Sequence, residues 1–367
     1  MPTLTRVSSR EKGTLEDPLR VVSIGGGTGL STLLSGLKKH ARGVATEPDA
    51  RGPVMDITAV VTVSDDGGSS GRLRRDFDIL PPGDIRNCMT ALSEDEALLS
   101  RLFQHRFQKG RGLKGHSFGN LFLAAMHQVT GDFAQAVKLA SDILAIRGRI
   151  FPATSANVTL TAILSDGTEI CGESKISKSD RSIESIYLNP RSCDPLPETI
   201  DAILKADVIT LGPGSLYTSI IPNLLVKGIP EAISRSRALK VFFVNLMWQP
   251  GETINLTASQ HVEAIHRHAR IKLMDYVVLN TAPISDKLRR KYAKAHVMPV
   301  ENDFDRLAAL GLKVVTADMV GAAKLVRHDP NAIADVVIRL ARQSARASAS
   351  RGRLFEQTKD SQVYIHR

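Results

Sequence analysis

Cysteine, aromatic residues and long apolar runs are all scarce in this chain of 367 residues, and each scarcity excludes something. The three cysteines, Cys88, Cys171 and Cys193, lie far apart and form no Cys-x-x-Cys pair. Their odd number and wide spacing speak against a disulfide framework and against a thiolate metal site. No apolar run approaches the roughly 20 residues that span a bilayer, so no membrane span is expected. The first twenty residues also lack the apolar centre of a secretory signal, and the expected compartment is the cytoplasm. Aromatic residues make up 5% of the chain, with a single tryptophan, and no aromatic motif of the RNA-binding kind is present. The net charge of +10 is unevenly placed, because residues 339–353 hold five arginines and no acid. That composition belongs to a solvated tail, and no specific nucleic acid is expected as a partner.

With 43% hydrophobic residues the chain can bury a sizeable core. Short β-branched runs at 20–24, 57–63, 207–211, 240–245 and 275–280 are apolar without strict alternation, as strands covered on both faces should be. Helical patterns lie between them, at 117–129, 132–145 and 257–269. This order predicts an α/β fold, a Rossmann-like parallel sheet wrapped by helices. One stretch breaks the order: residues 156–174 read as two alternating strands joined at Asp166-Gly167, a small inserted antiparallel β hairpin. The expected layout is a disordered extension over 1–18 and a single α/β domain over 19–330, with a β insertion at about 151–195. A C-terminal helix and a basic, mostly disordered tail follow over 331–367.

The first strand runs into Ile24-Gly25-Gly26-Gly27-Thr28-Gly29, after which Leu30, Leu33, Leu34 and Leu37 recur at helical spacing. A strand-to-helix turn converges backbone amides on one point, and the helix N-terminus adds about half a positive charge, so an anion is favoured. Two familiar labels fail here. A Walker A loop needs a lysine that does not follow Gly29, and a dinucleotide fingerprint counted from Gly25 puts Leu30 at its last glycine. Two more loops of similar composition follow strands: Ser64–Phe77, with Ser69 and Ser70, and Gly212–Asn223, with Gly214, Ser215 and Tyr217. Three such loops at the carboxyl ends of parallel strands would line one crevice, and a diphosphate has enough oxygens to engage several of them.

Acidic and basic residues cluster near these loops. Of Asp65 and Asp66, one can reach the crevice as a Mg²⁺ ligand or general base while the other caps the turn. Arg72, Arg74 and Arg75 could neutralise an anion, and Arg86 and Asn87 could face the ligand. Asp84 reads as a helix N-cap, as does Ser117. A triad of Asp84, His116 and Ser117 is disfavoured, because no Gly-x-Ser-x-Gly elbow accompanies it. His261, His266 and His268 share one helix without a carboxylate pattern, which argues against a metal.

Six segments, IGGGTGLS, TVSDDGGSSGRLR, PPGDIRNC, GHSFGNLFLAA, FPAT and LGPGSLYTSIIPNLL, resemble in order and spacing the motifs of the gluconeogenesis factor family, the YvcK-like proteins. The resemblance runs from about Arg20 to His328, and the family is related to the 2-phospho-L-lactate transferases. It implies a protein that binds UDP-N-acetylglucosamine or a related nucleotide diphosphate and regulates cell shape and cell-wall homeostasis during gluconeogenic growth. By position, Gly25 to Gly29 and Gly212 to Ser215 would hold the diphosphate, and Asp65 would sit where the transferases handle metal or acceptor. Asn157, Asn245, Asn280 and Tyr276 are further contributors under the resemblance. Protein partners in cell-wall control and a homodimer are compatible with it. The alternative is a metal-dependent transferase of phosphorus-containing groups that acts on a nucleotide diphosphate, with Mg²⁺ as the one cofactor to consider. A regulator without turnover is the favoured reading.

Overall fold

The computed structural model describes residues 18–41, 54–94, 98–321 and 325–344, with 98–100 as backbone alone. Strands β1 (Leu19–Gly25), β2 (Met55–Val61) and β3 (Arg149–Pro152) come first, and β4 (Thr159–Leu164), β5 (Glu169–Cys171) and β6 (Ile183–Asn189) follow. Then come β7 (Val208–Leu211), β8 (Leu239–Phe243), β9 (Tyr276–Asn280) and β10 (Lys313–Ala317). Seven of them form one sheet in the order β10-β9-β8-β7-β1-β2-β3, with every neighbouring pair parallel. The β-branched runs behave as expected of strands covered on both faces: all four residues of β7 are buried.

Five of these strands match the apolar runs of the sequence to within about two residues. The edge strands β3 and β10 add to them. Both are short, and β10 leaves Lys313 and Thr316 exposed, so neither carries a continuous apolar signal. The inserted element is larger than a hairpin. β4 and β5 do turn at Asp166-Gly167, where Gly167 has φ +81°. β6 then pairs with the other side of β4 to give a three-stranded antiparallel sheet. Its inward residues Ile183, Ile186 and Leu188 are buried, which is the gain that recruits the third strand.

The chain builds outward from β1 through β2 to β3, then returns to the other side of β1 and builds outward again from β7 to β10. Such a reversal makes the loops at the carboxyl ends of the two central strands diverge, and a crevice opens between them. Ile24 of β1 is level with Leu211 of β7, so Gly25 and Gly212 leave the sheet side by side. Helix α1 (Gly27–Leu37) follows β1 and buries Leu30, Leu33, Leu34 and Leu37 against the sheet. Helices α2 (Gly68–Phe77) and α3 (Gly83–Leu92) follow β2.

The helix over 330–344 is part of the same core, since Ile333, Val336, Val337 and Leu340 are buried in the main apolar cluster. Gly36 lets it approach, because a Cβ there would lie 2.0 Å from the Pro330 carbonyl oxygen. Of the extension expected over 1–18, residues 1–17 lie outside the described residues, as does the chain beyond 344; residues 339–344 of the arginine-rich run expected as a solvated tail instead belong to this helix, which buries Leu340 and Ala341 in the core. Among the described residues no helix is long and apolar enough to cross a membrane.

Candidate functional site

The loops after β1 and β7 touch. Gly26 is extended, Gly27 takes φ +62°, and α1 begins there. A Cβ on Gly26 would lie 2.6 Å from Asp84 Oδ2 and 2.7 Å from Thr62 Cγ2, so no larger residue fits. A Cβ on Gly29 would lie 2.3 Å from the Pro213 carbonyl oxygen and 2.8 Å from Gly214 Cα. Gly29 is therefore required by the neighbouring loop and not by a ligand. Between the loops lies a cavity of about 250 Å³ lined by Gly26, Gly27, Thr28, Gly29 and Thr32 and by Pro213, Gly214, Ser215 and Ser219. The β8 loop closes it with Asn245, Leu246, Met247, Trp248 and Gln249, and Tyr292, Val326, Arg327 and His328 complete the wall.

Its donors are of two kinds. The Gly27 N–H donates to Asp84, and the Leu30 N–H reaches Gly26 O at 3.4 Å. The amides of Thr28 and Gly29 are left in the first turn, where no intrahelical acceptor exists. Ser215 supplies the second kind. Its Oγ accepts from Gln249 Nε2 at 2.9 Å, and Gln249 Oε1 accepts from Asn245 Nδ2 at 2.9 Å. With its lone pair so engaged, the Ser215 hydroxyl proton is free to point at an anion. Leu246, Met247 and Trp248 give the same cavity an apolar side, and the Trp248 indole is held by a 3.2 Å hydrogen bond from its Nε1 to Leu256 O.

The second loop's helix end is already occupied from within. Glu252 accepts the N–H of Tyr217 at 3.0 Å, the N–H of Thr218 at 3.2 Å and the Thr218 hydroxyl at 2.9 Å. A side-chain carboxylate thus fills the anion position of the turn Leu216–Ile220. The ligand face is left with Gly214 and Ser215. Tyr217, expected at the ligand, is instead 2% exposed and packs edge-on against His268 at 5.9 Å.

Behind the glycine loop lies a group of carboxylates. Burial, then the charge of Asp65, push Asp84 up to about 6, while the Gly27 hydrogen bond and Arg86 oppose the shift. Burial also raises Asp65, whose Oδ1 accepts the Gly67 N–H at 2.7 Å. Asp66 turns away and accepts the Ser174 N–H at 2.8 Å, tying the loop before α2 to the helical turn Glu173–Ile176 of the inserted segment. That turn, between β5 and β6, brings in Glu173, whose carboxyl is pushed up to about 9 by burial and by Asp65, Asp84, Glu252 and Asp66. Asp84 is not the expected N-cap. Helix α3 starts at Gly83 with Pro82 at its cap, and the Asp84 carboxyl faces the glycine loop instead.

Other candidates separate. Ser69 bonds His116 Nδ1 at 2.9 Å, and Ser70 lies beside Asp65 and accepts from Asn120 Nδ2 at 3.4 Å. Both serines are buried and neither lines the glycine cavity. Ser117 caps its helix and accepts from Arg86 Nη1 at 2.7 Å, so Asp84, His116 and Ser117 form no triad. Asn157 donates to Asp78 at 2.9 Å on the exposed surface. Tyr276 stands at the amino end of β9, under Lys313 and at the opposite edge of the sheet from the crevice. An apolar run in a sequence marks a strand end without saying which edge of the sheet that end reaches. Asn280, at the carboxyl end, is engaged by the N–H groups of Ala282 and Met319. Arg72 donates to Lys114 O and Arg74 to Thr159 Oγ1, so both staple loops. The nitrogens His261 Nδ1 and His268 Nδ1 face helix carbonyls at 2.7 Å. Among the described residues no group of three or more His, Cys, Asp or Glu is placed to hold a metal ion. Gln249, Trp248, Glu252 and Glu173 had no signal in the sequence beyond a polar or acidic letter near a glycine.

A sequence model of the family described as 2-phospho-L-lactate transferase CofD matches residues 21–320. The gluconeogenesis factor of Bacillus subtilis is 47% identical over 325 residues, covering 88% of this chain and 98% of the relative. That of Halalkalibacterium halodurans is 48% identical over 319 residues, covering 87% and 95%. The crystal structure of protein BH3568 from Bacillus halodurans superposes with a TM-score of 0.81 at 47% identity, over 87% of this chain and 99% of that one. A second structure of that protein, described as a member of the UPF0052 family, gives 0.80 at 48% identity. With a family match across most of the fold, and relatives this similar along nearly their whole length, the chain belongs to the CofD-like superfamily and, within it, to the gluconeogenesis factor family.

Proposed function

We propose that this protein binds a nucleotide diphosphate sugar, UDP-N-acetylglucosamine, and uses the bound state to regulate cell shape and cell-wall homeostasis under gluconeogenic growth. The observation that carries the reading is the contact of two glycine loops at the sheet's reversal point, with free amides at Thr28 and Gly29 and a free hydroxyl proton at Ser215. The diphosphate lies across these donors. The nucleoside lies toward Leu246, Met247 and Trp248, where an aromatic face and apolar side chains suit a base. Regulation follows if the liganded and free states differ in what they present to a partner, since a ligand shifts an equilibrium only by its differential affinity. The name carried by the relatives, gluconeogenesis factor, supports a role in carbon-source adaptation. The cytoplasm is the compartment in which such a ligand is met.

Calorimetry with UDP-N-acetylglucosamine tests the site. Binding weakens severalfold or more in Ser215→Ala, which adds no bulk, and in Gly27→Val, which also strains the φ of +62°. Unchanged affinity in both variants removes the loops from the account.

A transferase reading is favoured by one specific observation, the raised carboxylates Asp65 and Asp84 behind the loop. Two desolvated carboxylates with a diphosphate nearby suit Mg²⁺, which is commonly held by one or two carboxylates plus substrate phosphates. Asp65 and Asp84 would hold it, and it would supply charge neutralisation at the phosphate. The chain's own part in that reading is to orient the diphosphate through Thr28, Gly29 and Ser215. Release of UDP or UMP from the nucleotide sugar in a cell extract with Mg²⁺, abolished in Asp65→Asn, would establish turnover and replace the regulatory reading.

A further inference from the structure

A second, larger cavity of about 640 Å³ adjoins the first and shares Thr28, Thr32 and Arg327 with it. It runs between α1 and α3. One wall is the stripe Thr28, Ser31, Thr32 and Ser35, spaced to fall on one face of α1, and the facing wall carries Arg86, Asn87 and Thr90 of α3. Gln104 and Arg106 close one end and Arg327 the other.

Three guanidinium groups thus line one space with no carboxylate among its lining residues. No acidic side chain forms an ion pair with Arg86, Arg106 or Arg327 among the described residues. Arg86 is held rigidly by neutral acceptors, with Nη1 donating to Ser117 Oγ at 2.7 Å and Asn120 Oδ1 at 3.1 Å, and Nη2 donating to Asn87 Oδ1 at 2.7 Å. Its Nε and the Thr90 hydroxyl on the same wall are buried without a partner. Burial and then the nearby Arg106 disfavour the charge on Arg86, while Asp84 and Asp65 behind it favour the charge without forming an ion pair. The α1 hydroxyls of Ser31 and Thr32 donate to the Thr28 carbonyl and that of Ser35 donates to the Thr32 carbonyl. With their protons so engaged, these lining hydroxyls are left with acceptor lone pairs only.

We propose that this cavity is a second ligand site, for a phosphorylated and hydroxyl-rich small molecule that binds beside the nucleotide. Guanidiniums at both ends and on one wall, with no carboxylate in the lining, and a wall of hydroxyls opposite match a phosphate joined to a polyol or sugar. Ala91 is the one apolar side chain of the lining, which disfavours an aromatic or acyl ligand. Thr28, Thr32 and Arg327 are common to both spaces, and Arg106 takes no part in the glycine cavity.

The probe is inorganic phosphate, titrated into the full chain at constant ionic strength and followed by calorimetry. One saturable phosphate site should weaken at least tenfold in Arg106→Ala and recover in part in Arg106→Lys, while UDP-N-acetylglucosamine affinity stays within twofold of the parent in both. Circular dichroism of both variants confirms the fold. Equal phosphate affinity in the parent and Arg106→Ala overturns the proposal. Stoichiometric displacement of phosphate by UDP-N-acetylglucosamine also overturns it, because the cavity would then belong to the nucleotide sugar itself. If the nucleotide sugar fails to bind the parent chain, the reading of the glycine cavity falls, and the Arg106 comparison still decides the second site.

Discussion

Glu173→Gln is expected to raise the thermal midpoint of unfolding at pH 8 and to leave it almost unchanged at pH 5. The Glu173 carboxyl is pushed from its ordinary 4.5 up to about 9, first by burial and then by the charges of Asp65, Asp84, Glu252 and Asp66. Between those two values the folded chain keeps a proton that the unfolded chain has released. Stability then falls as pH rises through the window, because the native state binds more protons. Each pH step of one inside that window costs about 1.4 kcal/mol, so the loss at pH 7 relative to pH 4 is on the order of 3 kcal/mol. Glutamine keeps the shape and never ionises, so this slope disappears. Asp84, pushed up to about 6, adds a slope of the same sign between its ordinary 3.8 and 6. The difference between parent and variant curves isolates Glu173 from it. Melting curves from pH 5 to 9 should therefore diverge toward the alkaline end. Parallel curves would show that Glu173 ionises as an ordinary surface carboxylate.

The second large effect is steric. Gly29→Ala should cost about 2–3 kcal/mol of stability, because its new Cβ meets backbone and cannot be accommodated by rotating a side chain. The atoms it would meet are the Pro213 carbonyl oxygen at 2.3 Å, the Pro213 carbonyl carbon at 2.6 Å and Gly214 Cα at 2.8 Å. The β1 and β7 loops must separate, and the amides that point at the cavity move with them. Loss of nucleotide affinity of at least tenfold should accompany the loss of stability. Gly214→Ala is the internal comparison. Its added Cβ has nothing closer than 3.5 Å, to Gly26 O and Ser219 Cβ, so its stability should change by less than about 1 kcal/mol. Thermal unfolding of the two variants side by side checks this, and equal destabilisation would contradict the loop-to-loop contact.

Much of the fold is legible in the sequence because its central strands are made of residues that tolerate cover on both faces. Val21, Val22 and Ile24 of β1 and Val208 and Ile209 of β7 are apolar because helices lie above and below them. β10 is not legible, since an edge strand with Lys313 and Thr316 turned outward has the composition of a loop. The third strand of the inserted sheet escapes a local reading because a short helical turn, Glu173–Ile176, separates it from its partner. At the site, glycines mark the backbone correctly, for Gly26 and Gly29 sit where a Cβ collides. The acidic side chains are harder. Glu252 fills the turn of Tyr217 and Thr218 from 34 residues away, and Glu173 reaches Asp65 and Asp84 only through the inserted sheet. Arg106 gains its meaning from the groove between α1 and α3, which exists only once both helices are packed. Local composition shows where the chain bends. Charge placed by tertiary packing is visible only in the folded molecule.

The central claim, that the crevice between the β1 and β7 loops receives a diphosphate, is tested most directly by backbone amide chemical shifts during a titration with UDP-N-acetylglucosamine. The amides of Thr28, Gly29, Gly214 and Ser215 should shift together and saturate with one binding isotherm, with the Trp248 indole N–H moving in the same titration. Those four amides staying in place while the ligand saturates elsewhere, or no saturation at all, would contradict the account.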